Sequence, residues 1–311
     1  MQERPTPAAI VVHGGAGAGR SLDDGCQHAA NAARGALERG DDALGAAIAA
    51  MVVLENDERF NAGTGASIGL DGRTIEMDAA VMDTLGRLGA VAGLRGVKNP
   101  ILVARAVADT PHCLLAGDGA IRFARLMGHA QYDNLTQKAA AQLDDMLAKL
   151  GSAEQAMPGE ANEDFARFWN YEGAPTFGRP GAAAPKRAGA RDTVGAVVRD
   201  GAGHFAVAGS TGGLAPSLLG RVGDTPIIGS GFYAGPHGAV AATGVGEHII
   251  RNMLAATVYH WIAAGMDLGQ ALEHGIALIP AEVDVGLIAV SRTDAGARSN
   301  AEMPQAQLRH G

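Results

Sequence analysis

The stretch Gly189-Ala190-Arg191-Asp192-Thr193-Val194-Gly195-Ala196-Val197-Val198 marks a change in the character of the chain. A segment rich in alanine, glycine and proline ends there, and an apolar run typical of a β-strand begins directly after Thr193. We interpret Thr193 as a residue that becomes a new N-terminus by self-cleavage after Asp192 and then acts as a nucleophile. The alternative interpretation is an ordinary strand threonine, because threonine favours strands.

The chemistry of threonine explains why cleavage matters. A threonine hydroxyl is a poor nucleophile at neutral pH and needs a base close by. An N-terminal threonine supplies that base itself, because its own α-amine, with a pKa of roughly 8, is partly neutral near physiological pH. The amine becomes free only when the Asp192–Thr193 peptide bond breaks. Thr193 can break this bond by attacking the preceding carbonyl to give an ester that water then hydrolyses.

Glycine-rich motifs surround this threonine in a specific order. The downstream motifs are Ser210-Thr211-Gly212-Gly213, Gly220-Arg221-Val222-Gly223-Asp224-Thr225-Pro226, Gly229-Ser230-Gly231-Phe232-Tyr233-Ala234 and Thr243-Gly244-Val245-Gly246-Glu247. The upstream motifs are His13-Gly14-Gly15-Ala16-Gly17, Phe60-Asn61-Ala62-Gly63-Thr64-Gly65, Glu76-Met77-Asp78-Ala79-Ala80-Val81-Met82-Asp83, Gly89-Ala90-Val91-Ala92-Gly93 and Lys98-Asn99-Pro100. Together they resemble the plant-type asparaginase and isoaspartyl peptidase family of N-terminal-nucleophile hydrolases. The resemblance covers nearly the whole chain and is weakest over residues 128–190 and at the C-terminal end.

The resemblance carries expectations about fold and domain organisation. Strands in both halves with helices outside them suggest two stacked sheets between helical layers. The family implies an α+β protein with a four-layer αββα sandwich. It divides the chain into an α-subunit, residues 1–192, and a β-subunit, residues 193–311, which form one folding unit after cleavage. Residues 151–192 form the candidate linker, because their glycine and proline clusters are typical of an exposed processing site.

The resemblance also implies roles for individual residues. A guanidinium can hold the α-carboxylate of a substrate with two hydrogen bonds, and an aspartate suits its α-amine. The Thr243 hydroxyl and the Gly244 N–H match an oxyanion hole. The implied catalytic set is Thr193, Thr211, Thr243 and Gly244, and the implied substrate-binding set is Arg221, Val222, Gly223, Asp224, Val245, Gly246 and Asn61. Val245 departs from close bacterial relatives, which often have a polar residue there.

The implied activity is hydrolysis of β-aspartyl dipeptides, with weaker hydrolysis of L-asparagine, through a threonine acyl-enzyme. A glycosylasparaginase-type amidase and an uncleaved, non-catalytic binding protein are the alternatives. The family implies no catalytic metal or organic cofactor and a dimer of self-cleaved αβ heterodimers. It also implies a loop that can hold a structural sodium ion through the backbone of Leu54, Glu55, Phe60, Ala62 and Thr64.

Composition narrows the class of protein. The 311 residues carry a formal charge of −8 with a pI near 5.7, and no basic cluster indicates a nucleic-acid surface. Two cysteines do not make a disulfide framework, so we expect a reducing compartment. The sequence shows no signal-peptide pattern and no run of membrane-spanning length, so the expectation is a cytoplasmic protein with no membrane partner.

Two further motifs have competing interpretations. The glycines after His13 could cradle a phosphate, and a nucleotide-binding protein is a third alternative, but their spacing matches no phosphate-binding fingerprint. We expect a tight turn there, with His13 as a hydrogen-bonded core histidine. Asp78 and Asp83 could form an acidic pair for metal or acid–base chemistry. We expect strand-end and turn roles for them.

Hydrophobic periodicity predicts the main helices and strands. We expect a strand at 8–13 and helices at 23–39 and 41–54, broken at Gly40, with Asp41 capping the second. A hairpin is expected over 67–70 and 74–82, and short strands at 227–228 and 239–242. One continuous helix is expected over 247–264, and the last clear strand at 285–291.

Overall fold

The protein was analysed as a computed structural model that describes residues 7–69, 71–151, 170, 193–215 and 217–310. The described residues form eleven strands and eight α-helices, which confirms the expected mixture of helices and sheets. No described helix has the length and hydropathy needed to cross a bilayer. The Asp192 side of the expected cleavage site and nearly all of the expected linker lie outside the described residues.

The first part of the chain alternates strands with helices. Its elements are β1 (Ala8–His13), α1 (Asp23–Glu38), α2 (Ala43–Asn56), β2 (Met77–Asp83), β3 (Leu88–Leu94), α3 (Pro100–Val107), β4 (Leu114–Ala116), α4 (Gly117–Leu126) and α5 (Gln137–Gly151). The part that begins at Thr193 is richer in strands. Its elements are β5 (Val194–Arg199), β6 (Phe205–Thr211), β7 (Phe232–Gly235), β8 (Gly238–Gly244), α6 (Gly246–Asn252), α7 (Leu254–Ala263), α8 (Leu268–Ala277), β9 (Val285–Ser291), β10 (Ala295–Ser299) and β11 (Gln305–His310).

The strands form two sheets. The larger sheet has the order β11-β1-β5-β6-β2-β3-β4, and the smaller has the order β10-β9-β8-β7. Only the β3–β4 pair of the larger sheet is parallel. Strand β5 starts immediately after Thr193 and lies between β1 and β6, with Gly195 opposite His13 and Val194 opposite Ser210. The start of the second part of the chain is therefore in the middle of the larger sheet.

Three hydrophobic cores cover the faces of these sheets. Successive side chains of a strand point to opposite faces. Accordingly, Val12 of β1 packs in a core with helices α1 to α3, while its neighbour Val11 packs in a core between the two sheets. In β8, Ala241 contributes to the core between the sheets, and Val240 to a third core with α7 and α8. Burial on both faces explains why these strands are apolar throughout.

Helix α2 begins at Ala43, two residues later than the sequence suggests, and its cap is displaced by one residue. The expected cap was Asp41, but Asp42 is the N-cap, and its side chain accepts a hydrogen bond of 2.9 Å from the Gly45 N–H. Both aspartates are reasonable caps by residue type. Asp42 also forms an ion pair with Arg87, a contact that local sequence does not reveal.

Two expected strands are wrong. The expected strand at 67–70 is absent: none of the described residues between 67 and 76 lies in a strand, and the Gly69 N–H donates to the Thr74 carbonyl at 2.7 Å, with Asp71 accepting from Thr74. Residues 227–228 form only an isolated bridge from Ile228 to Phe232, and the strand there is β7. The C-terminal strands β10 and β11 were not predicted, although β11 pairs along the whole of β1.

The single helix expected over 247–264 is also wrong. It is divided into α6 and α7 at Met253, which has the left-handed φ of 44°. The reason is a tertiary contact at the start of α7. The Ala255 N–H donates to the Ser230 carbonyl at 3.1 Å, and the Ala256 N–H donates to the Gly229 carbonyl at 2.8 Å. These hydrogen bonds replace the helical ones that a continuous helix would make.

Candidate active site

Thr193 lies at the start of β5 and is buried, with 7% of its surface exposed. Its side-chain oxygen is 3.5 Å from that of Thr225, and its carbonyl accepts a hydrogen bond of 3.4 Å from the Thr243 hydroxyl. The preceding residue, Asp192, lies outside the described residues. The candidate nucleophile is therefore held inside the protein, where two other hydroxyls approach it.

Thr243 connects the nucleophile to the first glycine loop. Besides donating to Thr193, its hydroxyl accepts a hydrogen bond of 3.3 Å from the Ala16 N–H. The next residue, Gly244, has a φ of 142°, and a Cβ atom there would collide with the Asp284 carbonyl. A glycine is needed at this position because both its conformation and its close packing exclude a side chain. Of the two expected oxyanion-hole residues, Thr243 thus contacts Thr193, and Gly244 follows it directly in the chain.

Thr211, another member of the implied catalytic set, makes a different contact. Thr211 ends β6 and is buried, but its hydroxyl accepts a hydrogen bond of 3.2 Å from the Gly213 N–H. Among the hydrogen bonds of the described residues, none joins Thr211 to Thr193. The hydroxyl near the side-chain oxygen of Thr193 belongs to Thr225, to which the sequence assigned no role. Its only sequence signal is its place directly after Asp224.

Arg221 and Asp224 come together against the start of α6. A Cβ atom at Gly246 would lie 2.8 Å from Nη2 of Arg221 and 3.0 Å from Oδ1 of Asp224, so only glycine fits between them. The Arg221 guanidinium forms two hydrogen bonds of 2.9 Å with the carboxylate of Glu247. This pairing was not predicted, although the two residues belong to motifs that were. The guanidinium is thereby fixed in one orientation.

Asp224 has the properties of a binding group. It is buried, and its Oδ2 has no hydrogen-bond partner among the described residues. Burial raises the pKa of Asp224 to about 7, against the effects of its own backbone N–H and of Arg221, which favour the charged form. A buried carboxylate oxygen without a partner is costly, so this atom is suited to receive a donor from a ligand.

The remaining expected substrate-binding residues flank this pair. Val222 and Val245 are partly exposed, and Gly223 is buried beside the Arg221 guanidinium. Val245 is the N-cap residue of α6. It therefore lies in the short segment between Thr243, which contacts Thr193, and Gly246, which lies beside Arg221 and Asp224.

Asn61 braces the backbone beyond Thr211. Its side-chain amide donates to the Gly213 carbonyl at 2.8 Å and accepts from the Ser67 N–H at 2.9 Å, and its own carbonyl accepts from the Gly212 N–H at 2.7 Å. Both the nitrogen and the oxygen of the side-chain amide therefore form hydrogen bonds within the protein. These contacts are those of a bracing residue for the segment that follows Thr211.

Glu55 is a buried carboxyl group that sequence reasoning assigned only a backbone role. Its Oε1 accepts hydrogen bonds from the Ser210 hydroxyl at 2.7 Å and the Ile101 N–H at 2.9 Å. Burial raises the pKa of Glu55 to about 7, with hydrogen bonds from Ser210 and Ile101 opposing the shift. Glu55 therefore ties α2 and α3 to the end of β6, one residue before Thr211.

The loop after α2 gathers backbone carbonyls. A Cβ atom at Gly63 would lie 2.5 Å from the Glu55 carbonyl, and one at Gly65 would collide with the Phe60 carbonyl. The buried hydroxyl of Thr64 has no partner among the described residues. Hard cations such as sodium favour oxygen ligands of this kind. The described residues contain no cluster of three or more His, Cys, Asp or Glu side chains suited to a metal.

His13 was expected to be a hydrogen-bonded histidine of the core, and the structure differs from this expectation in part. It is fully buried as expected, but neither ring nitrogen has a hydrogen-bond partner among the described residues. Burial lowers the pKa of His13 to about 3, with the Thr193 backbone opposing the shift. A Cβ atom at Gly195, opposite it in the sheet, would collide with its Nε2. His13 is therefore a neutral ring packed tightly against the strand that Thr193 begins.

The acidic pair of β2 separates into two roles. Asp83 accepts from the Leu85 and Arg87 N–H groups at 2.9 Å each, as expected for a turn residue. Asp78, in contrast, is buried near Arg221 and Asp224, and its charge contributes to the raised pKa of Asp224. The structure thus adds Asp78, Thr225, Glu247 and Glu55 to the residues around the site.

Comparison with known proteins shows which family and which curated proteins the chain is similar to. A family model described as asparaginase matches residues 6–308. The chain is 42% identical over 280 residues to the plant-type L-asparaginase of Pyrococcus abyssi, covering 87% of this chain and 84% of that protein. It is 40% identical over 304 residues to the probable isoaspartyl peptidase/L-asparaginase 2 of Arabidopsis thaliana, with coverages of 91% and 89%. It is also 35% identical over 318 residues to the isoaspartyl peptidase/L-asparaginase of Mus musculus, with coverages of 97% and 88%.

Proposed function

The chain belongs to the asparaginase family, and from this premise we propose that it is a self-processing hydrolase of β-aspartyl dipeptides with weaker activity on L-asparagine. One observation carries the proposal. The short segment Thr243–Gly246 contacts Thr193 at one end and both Arg221 and Asp224 at the other. A β-aspartyl group gripped by Arg221 and Asp224 is therefore directed towards the Thr193 hydroxyl.

Self-cleavage comes first in the proposed mechanism. The Thr193 hydroxyl attacks the Asp192 carbonyl, the peptide nitrogen leaves as the Thr193 α-amine, and water hydrolyses the resulting ester. The neighbouring Thr225 hydroxyl, 3.5 Å away, is placed to exchange a hydrogen bond with the attacking oxygen. The products are fragments 1–192 and 193–311, the second with a free α-amine beside its own hydroxyl.

Substrate hydrolysis then uses the same oxygen. The α-amine takes the hydroxyl proton, and Oγ1 attacks the side-chain carbonyl of the substrate. The Thr243 hydroxyl and the Gly244 N–H stabilise the negative charge that develops on the carbonyl oxygen of the substrate. The leaving amine departs with a proton, and water releases aspartate from the acyl-enzyme. The α-carboxylate of the substrate pairs with Arg221, and its α-ammonium with Asp224 and the Gly246 backbone.

The decisive experiment follows the intact mass of the denatured protein over days after purification, together with rates on three substrates. We expect fragments that separate at Thr193 and a rate order of β-Asp-Leu above L-asparagine above a glycosylated asparagine. The variant Thr193→Ala should stay one chain without activity. A wild-type chain that never cleaves would favour the binding-protein alternative, and fastest turnover of the glycosylated substrate would favour a glycosylasparaginase.

The proposal extends to features around the active site. The carbonyls near Gly63 and Gly65 and the unpartnered Thr64 hydroxyl support a structural sodium ion on the loop that contains Leu54, Glu55, Phe60, Ala62 and Thr64. Its contribution there is to hold the loop in place beneath Asn61. No other cofactor is part of the proposed mechanism.

The proposed architecture is the four-layer αββα sandwich, which the three successive hydrophobic cores support. The proposed assembly is a dimer of cleaved αβ heterodimers, by analogy with the family. A reducing, cytoplasmic location remains a prediction. Cys26 and Cys113 are both free, in keeping with it.

A further inference from the structure

We propose that Asp78 is a specificity-determining positioning residue: a second buried carboxylate which, with Asp224, makes the pocket select substrates that carry an α-ammonium group. The inference rests on the proposed function, because it concerns the same pocket. It departs from the strand-end role that the sequence suggested for Asp78. The argument depends on where β2 places this side chain and on the charges that surround it.

Asp78 lies at an irregularity of the larger sheet. It pairs with Thr211 of β6, but the register between β2 and β3 shifts between Met77 and Ala79. The Gly93 N–H, at the end of β3 that faces this shift, donates to Oδ1 of Asp78 at 2.8 Å. Irregularities of this kind often redirect a side chain beside an active site. Here the redirected side chain is a carboxylate opposite Thr211.

The charges near Asp78 are mostly negative. Glu76 directly precedes the same strand, the charges of Arg221 and Asp224 act on Asp78, and the Gly223 backbone is close enough to donate a hydrogen bond to it. Arg221 is the one cation among these groups, and Glu247 already forms two hydrogen bonds with it. The pair of buried carboxyl groups is therefore left without a full countercharge. A desolvated carboxylate is stabilised most by a cation placed next to it.

The protonation of Asp78 and Asp224 also supports selection for an α-ammonium group. Burial raises the pKa of Asp78 to about 6 and that of Asp224 to about 7, so near neutral pH the empty pocket retains part of a proton on this pair. An α-ammonium group favours the charged carboxylates and lowers both pKa values. The proton then leaves to the solvent when such a ligand binds. A ligand without the ammonium group gives no such release.

A purely structural role for Asp78 makes a different prediction. If its function is only to accept the Gly93 N–H, an asparagine can do the same through its side-chain oxygen. Asp78→Asn therefore keeps the hydrogen bond and removes the charge. Asp83→Asn is the matched control, because Asp83 is a buried carboxylate of the same strand that accepts backbone N–H groups but is not among the charged groups that act on Asp224.

The experiment compares inhibition by L-aspartate and by succinate, which lacks the α-ammonium group, in the cleaved wild type and both variants. For Asp78→Asn we expect Ki for L-aspartate and KM for β-Asp-Leu to rise on the order of tenfold, as for loss of one nearby partly screened charge. Ki for succinate should change less than about threefold, and kcat likewise. Asp83→Asn should lower Tm while keeping the preference for L-aspartate over succinate.

Equal changes for both inhibitors in Asp78→Asn would overturn the inference. If this variant does not fold or cleave, two other measurements decide. Asp78→Glu, which keeps the charge, should retain the L-aspartate preference. Calorimetry of the wild type at pH 6.5 in two buffers with different ionisation enthalpies should show more proton release with L-aspartate than with succinate. Equal release would count against the inference, whereas an inactive wild type would instead overturn the proposed function.

Discussion

At the scale of single residues, the hydroxyl that approaches the side-chain oxygen of Thr193 is that of Thr225, at 3.5 Å. The two threonines are far apart in sequence but meet because β5 and the loop that contains Asp224 converge. Removing the Thr225 hydroxyl while keeping its shape should weaken one hydrogen bond to the attacking oxygen. Such a bond is worth about 1 kcal/mol, which corresponds to a roughly fivefold change in rate.

We therefore expect Thr225→Val to cleave itself several times more slowly than the wild type, and Thr225→Ser to cleave at close to the wild-type rate. The measurement is the fraction of intact chain with time, by mass spectrometry of denatured samples. Thr211→Val serves as a comparison, since the Thr211 hydroxyl contacts Gly213 instead. Indistinguishable rates for Thr225→Val and wild type would show that this contact plays no part in cleavage.

The raised pKa of Asp224 predicts that KM depends on pH. Its pKa is raised by burial to about 7, so the neutral acid predominates below that pH and the α-ammonium loses its partner. KM for β-Asp-Leu should therefore rise roughly tenfold between pH 7.5 and pH 6, because each pH unit below the pKa costs about a factor of ten in the charged form. The test is a pH series of KM. In Asp224→Asn the same series should be much flatter, and an equally steep one would exclude this group.

At the scale of secondary structure, some elements follow from the local sequence pattern, and others depend on tertiary contacts. Hydrophobic periodicity identified β1, α1 and β9 almost to the residue, because each has one regular pattern of burial. The division at Met253 could not be predicted, because it depends on carbonyls of Gly229 and Ser230 that only the fold brings close. The position of Asp78 depends in the same way on the pairing of β2 with the distant β6, and that of Thr225 on a loop that folds back to the start of β5. Resemblance located the glycine motifs but not the contacts among their side chains.

Met253 supplies a prediction at this scale. Its left-handed φ of 44° is unfavourable for a residue with a side chain by about 1–2 kcal/mol, and more so for a β-branched one. Met253→Gly removes this strain but adds the flexibility of glycine to the unfolded chain, at about 0.5–1 kcal/mol. We expect Met253→Gly to be neutral or more stable by up to about 1 kcal/mol, and Met253→Val to be clearly less stable. Unfolding by urea measures the difference. A valine variant as stable as the glycine variant would contradict the argument.

At the scale of the whole molecule, the order of the strands determines whether the two fragments can separate after self-cleavage. After the proposed cleavage, β5 belongs to the second fragment but lies between β1 of the first and β6 of the second. The second fragment also contributes β11 to the other edge of β1, while β2 of the first pairs with β6. The fragments thus alternate within one sheet and share the core beneath α1 to α3. Neither can leave without unpairing several strands.

The two fragments should therefore remain one particle under native conditions. We expect cleaved wild type and uncleaved Thr193→Ala to elute at the same volume in size-exclusion chromatography, with both fragments in a single peak. In strong denaturant the wild-type fragments should separate. Since separation would expose the shared core and break the central strand pairs, dilution alone should not dissociate them. Fragments that separate in native buffer would mean that the pairing of β5 with β1 does not survive cleavage, and the proposed folding unit would then have to be abandoned.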